Sequence, residues 1–175
     1  MRLDRLTPRL GEDVVVVAQK ATSDESTVAV AVEVYSLDEE PVRIERLIDA
    51  RRATTECGVD DCKLTTNTTN YLGAIFAADV AHGRGIPAFR LVVKHHLVEQ
   101  QVLWLRTGEG TGQDKQGSQI KAPHLRGLAE YVQRVLDAGS RPEDRTMEYI
   151  DSAGDRHASY FATLELRAQE LIHDL

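Results

Sequence analysis

The chain has 175 residues, of which 42% are hydrophobic and 28% are charged, and its formal net charge is −7. This composition is typical of a folded globular protein and argues against a disordered chain. No stretch approaches the roughly 18 consecutive apolar residues of a membrane span. The start of the sequence also lacks the apolar region of a signal peptide. We therefore expect one domain over residues 1–175, a cytoplasmic location and no membrane partner.

The first part of the chain predicts an antiparallel hairpin. Residues 14–17 are four valines in a row, which is typical of a buried strand. Residues 27–35 then alternate, with Val28, Val30 and Val32 on one face of a half-buried strand. The polar residues between these two stretches predict the turn.

Four stretches predict helices. Ser36 and Glu39 have the spacing of a capping box, and apolar residues at helical spacing follow them, which predicts a helix over about 39–53. The same spacing predicts a second helix over about 69–82. Pro123 is at a position suited to the first turn of a third helix, which ends before Gly139. A final helix is predicted over about 160–173.

Residues 89–106 form the longest apolar-rich stretch, and two periods fit it. Read with a period of two, the stretch fits strands, and its valine and aromatic residues also favour strands. Spacing of three and four residues, as in Leu91, His95, Val98 and Val102, favours one buried helix. We predict two strands, about 88–95 and 99–106, and keep the single helix as the alternative.

Residues 146–151 and 156–160 flank a Ser-Ala-Gly-Asp turn and predict a second hairpin. The predicted order groups the strands into hairpins. The fold class is therefore α+β, with a mostly antiparallel sheet and about four helices packed largely on one face. A mixed sheet is the main alternative.

Charge is distributed unevenly along the chain. Residues 84–136 carry 8 Lys and Arg against 4 Asp and Glu, whereas the segments on either side are acidic. An anionic ligand would be attracted to this basic segment. The alternative is that the acidic segments pair with it across the fold. The candidate anion-binding residues are Arg90, Lys94, His96, Arg106, Lys115 and Lys121.

Residues typical of catalysis or metal binding are sparse. The Gly-rich residues 108–117 match neither a P-loop nor a dinucleotide-binding motif. Cys57 and Cys62 make one loose pair, whereas structural zinc sites usually need two. Asp61 and Lys63 match half of a nuclease pattern, but we predict that Asp61 lies in a loop and Asp49 on a helix. We therefore expect no metal and no cofactor, and we assign no catalytic residue.

These observations favour a non-enzymatic accessory or adaptor protein that acts through protein–protein contacts in a larger assembly. The alternative is a subunit that binds nucleic acid or a nucleotide through the basic segment 84–136. A further alternative is a small hydrolase or transferase that acts on a phosphate ester. Whether the protein is an enzyme stays open on the sequence alone. A protein partner is expected first and nucleic acid second.

Overall fold

The computed structural model describes residues 7–108, 120–150 and 158–175. None of the described helices combines the length and the hydrophobicity that crossing a membrane requires. In these ranges the chain forms five strands and five helices, in the order β1 (Asp13–Ala21), β2 (Thr27–Tyr35), β3 (Val42–Asp49), α1 (Ala50–Glu56), α2 (Thr66–Gly83), β4 (Phe89–Val93), α3 (His96–Thr107), α4 (Pro123–Asp137), β5 (Arg145–Tyr149) and α5 (Ala158–His173).

The five strands form one sheet in the order β3-β2-β1-β4-β5. Strand β2 pairs antiparallel with β1 and β3, whereas β4 pairs parallel with β1 and β5. Parallel neighbours need long connections, and here helices provide them. The predicted α+β domain and its first hairpin are confirmed. The sheet is mixed, however, rather than mostly antiparallel, and the described chain has five helices instead of about four.

Helices cover both faces of the sheet. Val15 and Val17 of β1 join an apolar cluster with α2 and α4, while Val14 and Val16 join a second cluster with Phe161 of α5. The continuous valine run is explained because β1 is buried on both faces. Residues of α1, α2, α3 and α4 all belong to the first cluster, so the prediction that the helices lie largely on one face is confirmed, and α5 alone of the described helices packs on the opposite face.

Residues 42–49 form strand β3, where we predicted part of a helix over about 39–53. Their apolar residues fit either period, and pairing with β2 decides between the two: Ile44 lies beside Val32, and Ile48 beside Val28. Helix α1 begins only at Ala50, after a capping bond in which the side chain of Asp49 accepts from the backbone of Arg52 at 2.9 Å.

Residues 89–106 contain both periods in succession: the predicted strand at about 88–95 is confirmed as β4, whereas the predicted strand at 99–106 is wrong, because these residues belong to helix α3. The first five residues form β4, which lies between β1 and β5. Helix α3 then begins at His96 and buries Val98 and Val102, one turn apart. It ends where Gly108 adopts a φ of 69°, a conformation that glycine accepts at little steric cost.

The end of the chain differs from the predicted hairpin. Strand β5 is present, but it pairs in parallel with β4. Residues 158–160, predicted as the end of a strand, are the start of α5, and residues 151–157 lie outside the described ranges. The predicted helices over about 69–82 and from Pro123 onward are confirmed as α2 and α4.

Candidate functional site

A cleft of about 550 Å³ lies where strands β1 and β4 end. The two strands are parallel neighbours, with Val16 beside Val92, so their carboxyl ends meet at the same edge of the sheet. In open sheets, ligands commonly bind outside the carboxyl ends of neighbouring parallel strands. We refer to this site as the β1–β4 cleft. Its lining residues are Gln19, Lys20, Ala21, Thr22, Ser23, Glu25, Thr66, Thr69, Asn70, Lys94, His95, Glu165 and Gln169.

A first polar pair in the cleft joins β1 to α2. Nε2 of Gln19 donates a hydrogen bond to Oδ1 of Asn70 at 3.3 Å. Gln19 continues the alternation of Val15 and Val17, so its side chain lies on the face that α2 covers. Gly73 makes this approach feasible, because a Cβ atom at that position would lie 2.2 Å from Oε1 of Gln19.

The amino end of α2 lies beside this pair. The Thr65 side chain caps the helix by accepting a hydrogen bond from the backbone of Thr68 at 3.3 Å. Thr66 and Thr69, in the first turns, line the cleft. Because α2 is 18 residues long, its dipole places partial positive charge at this end. Hydroxyl groups and a helix amino end are both suited to anionic oxygen atoms.

A second polar pair joins the end of β4 to α5. The Lys94 ammonium forms an ion pair with Glu165, and the two side chains are 30% and 40% exposed. Partly exposed pairs of this kind stabilise a fold by about 1 kcal/mol or less. The pair matters more for the charge of the cleft than for stability. The ammonium has three donors, and one of them satisfies Glu165.

His95 also lines the cleft, and it precedes α3 without making a side-chain capping bond. Burial lowers the pKa of His95, the charge of Lys94 lowers it further, and Glu165 opposes the shift. The ring is therefore neutral at neutral pH, with one donor and one acceptor nitrogen.

Of the predicted anion-binding residues that the structure describes, Lys94 alone lines the cleft. Arg90 lies near the start of β4, where its guanidinium is 3.6 Å from Glu12 and 3.2 Å from Glu148. Arg90 and Lys94 share one face of the strand, but four residues of extended chain separate them by roughly 13 Å.

The other predicted residues lie elsewhere. Arg106, at the end of α3, donates to Asp137 at 2.9 Å and to the backbone carbonyl of Arg145 at 2.7 Å, at the start of β5. His96 begins α3, with its ring centroid 4.8 Å from that of Tyr149. Lys121 is exposed before α4. Lys115 lies outside the described residues, as does most of the Gly-rich segment 108–117. The described candidates are therefore not brought together in one patch.

Sequence reasoning missed the other polar residues of the cleft. Gln19 interrupts the apolar run of β1, which was a usable signal. Asn70 belongs to an Asn- and Thr-rich stretch that we interpreted only as a helix cap. Glu165 carries no local signal, because it reaches the cleft only through the packing of α5 on the second face of the sheet.

The cysteine and aspartate motifs do not contribute to the cleft. Cys57 and Cys62 are both free thiols. Burial, together with the charges of Asp79 and Glu56, raises the pKa of Cys57 to about 11, and burial also raises the pKa of Cys62. Across the described ranges, no three His, Cys, Asp or Glu side chains are grouped to hold a metal ion.

No family model and no curated protein matches the sequence. The fold, however, is similar to solved structures of RNase H1. RNase H1 from the halophilic archaeon Halobacterium salinarum NRC-1 is 17% identical with a TM-score of 0.62, covering 91% of this chain and 98% of its own. The N-terminal RNase H domain of a Mycobacterium tuberculosis protein is 16% identical with a TM-score of 0.59, covering 93% and 96%. LC11-RNase H1 in complex with an RNA/DNA hybrid is 12% identical with a TM-score of 0.54, covering 85% and 92%.

The chain therefore has an RNase H-like fold. This similarity contradicts our main functional expectation, an adaptor that acts through protein–protein contacts. It favours the alternative of a nucleic-acid-binding protein instead.

Proposed function

We propose that the chain binds a nucleic-acid duplex, with an RNA/DNA hybrid as the first candidate, and that the phosphate backbone enters the β1–β4 cleft. One observation carries this proposal. The cleft lies at the carboxyl ends of the central parallel strands, in a fold shared with an RNase H1 that was solved with an RNA/DNA hybrid. Similarity of fold alone does not assign a function, so the chemistry of the cleft has to support it.

The lining residues supply the kinds of donor that hold a phosphate backbone. Such contacts come from lysine, from hydroxyl and amide side chains, and from helix amino ends. The cleft has all three, in Lys94, Thr66 and Asn70, and in the start of α2. Its volume of about 550 Å³ is also within the usual range of ligand sites.

The charges predict modest affinity. The cleft is lined by Lys20 and Lys94 and by Glu25 and Glu165, so its charged side chains balance. We expect a dissociation constant on the order of 10⁻⁵ M at physiological salt, as in sequence-independent backbone binding. Affinity should fall as salt rises, because each phosphate contact releases counterions.

Fluorescence anisotropy tests this proposal with a labelled RNA/DNA hybrid, a DNA duplex and a single-stranded RNA of one length. We expect the hybrid to bind, with an affinity that decreases steadily with salt. Asn70→Ala should weaken binding, whereas Asn67→Ala should leave it unchanged, because Asn67 is on the same helix but does not line the cleft. Absence of binding to all three probes would refute the proposal, as would equal effects of the two variants.

A further inference from the structure

The RNase H-like fold raises the question of a metal ion, because nucleases of several families place two divalent cations between clustered carboxylates. The donor set of the β1–β4 cleft does not fit such a site. Of the described residues that line it, only Glu25 and Glu165 carry carboxylates. Glu165 is already paired with Lys94, and the other pair consists of the neutral amides of Gln19 and Asn70.

The positive charge of Lys94 makes the β1–β4 cleft still less suited to a divalent cation. Mg²⁺ prefers oxygen ligands, and carboxylates provide most of its attraction to proteins. An ammonium that contacts one of the two carboxylates neutralises it and would repel a divalent cation placed beside it. Glu25, on the turn between β1 and β2, has a buried Oε2 with no hydrogen-bond partner among the described atoms. One such carboxylate does not make a site that holds two cations.

We propose that the Lys94 ammonium occupies the place that a divalent cation would take in this cleft, so that phosphate is bound there without metal. The inference rests on the proposed function for its ligand, the nucleic-acid backbone. Lysine is a common phosphate ligand that acts as a compact point charge. The ammonium is oriented by Glu165 and keeps donors for a phosphate oxygen, and the amino end of α2 adds a second favourable field.

The charges also predict variants that act in opposite directions. Lys94→Gln removes the phosphate ligand and should weaken hybrid binding roughly three- to tenfold and reduce the salt slope by about one contact. Glu165→Gln removes the competing carboxylate and should strengthen binding severalfold. A purely structural role for the ion pair would make both variants bind worse. Lys63→Gln, a matched change at an exposed lysine outside the cleft, is the control.

The test compares hybrid binding in EDTA and in millimolar Mg²⁺, and adds calorimetric titration of the free chain with Mn²⁺. We expect the same dissociation constant in both buffers, no saturable Mn²⁺ heat, and no Mg²⁺-dependent cleavage of the RNA strand. Binding that requires Mg²⁺, or saturable Mn²⁺ binding that Glu165→Gln or Glu25→Gln abolishes, would overturn the inference.

A gain-of-function variant makes the metal titration informative in itself. Replacing three lining residues with acids, in the triple variant Gln19→Glu, Asn70→Asp and Lys94→Glu, adds carboxylates around Glu165. This variant should acquire saturable Mn²⁺ binding that the parent chain lacks, and equal heats for the two proteins would contradict our assignment. If no hybrid binds in either buffer, the proposed function fails, whereas the Mn²⁺ titration still decides the metal question.

Discussion

Gln19 reaches Asn70 because position 73 of α2 is a glycine. Oε1 of Gln19 lies only 2.2 Å from the position that the Cβ atom of any other residue would take, which is closer than the two atoms can approach. Gly73 therefore lowers the intrinsic stability of its helix by about 1 kcal/mol relative to alanine, and the cleft gains a fixed amide pair in return. A glycine inside a helix opposes helix propensity, and such conflicts between local propensity and the fold are typical of functional sites.

Replacing this glycine should separate helix stability from cleft geometry. In Gly73→Ala, the gain in helix propensity of about 1 kcal/mol is offset by displacement of Gln19, so the melting temperature should change little. The side-chain amide resonances of Gln19 should shift as its bond to Asn70 is lost.

Gly83→Ala is the matched control, because a Cβ there meets no atom within 4 Å and the residue ends the same helix. It should leave the Gln19 amide unchanged. An unperturbed Gln19 in Gly73→Ala would show that the close approach is not as tight as the structure indicates.

At the scale of elements, α2 and α3 are joined by a buried polar contact. The hydroxyl of Tyr71 donates to Oε1 of Gln101 at 2.5 Å, and the two residues are 0% and 5% exposed. This contact fixes α3 relative to α2, and therefore helps to place His95 beside the cleft. Removing the donor would leave the amide oxygen of Gln101 buried and unsatisfied.

Tyr71→Phe should lower the free energy of unfolding by about 1–3 kcal/mol, the cost of one unpaired buried acceptor. Urea denaturation followed by circular dichroism measures this loss. Tyr131→Phe removes a hydroxyl that donates to Asp79 at 3.0 Å near the surface, and it should cost less. Equal decreases in the free energy of unfolding of the two variants would mean that burial of the Tyr71 hydrogen bond does not increase its contribution to stability.

Some helices and strands could be predicted from the sequence and others could not. Val14–Val17 was predictable because an unbroken apolar run is typical of a buried strand, and α2 and α4 were predictable because their apolar residues recur at helical spacing. Residues 42–49 and 89–106 were not, since Ile44 and Ile48 satisfy both periods and only pairing with β2 makes them a strand. In residues 89–106 the alternating part comes first and the part with helical spacing follows it. Assigning one type of secondary structure to the whole stretch could therefore be correct for only part of it.

At the scale of the whole molecule, the cleft depends on contacts that are remote in sequence. Lys94 was predicted as an anion ligand from local charge, but its partner Glu165 is 71 residues away. Arg90 and Arg106 carry the same charge in the same segment, yet acidic side chains from other elements contact each of them. Linear charge counts predict a basic segment, whereas the fold places Arg90, Lys94 and Arg106 in three separate ion pairs.

The net charge of −7 repels a polyanion at long range. Binding must therefore come from groups that meet the backbone directly, which is why the location of the contact surface is the central claim. Backbone amide shifts in NMR spectra, recorded while an RNA/DNA hybrid is titrated into the chain, locate that surface. We expect the largest shifts at residues 19–22, 66, 69, 70, 94 and 95. Shifts concentrated at the opposite edge of the sheet, around Gly85 and Asp144, with the cleft unperturbed, would contradict the account.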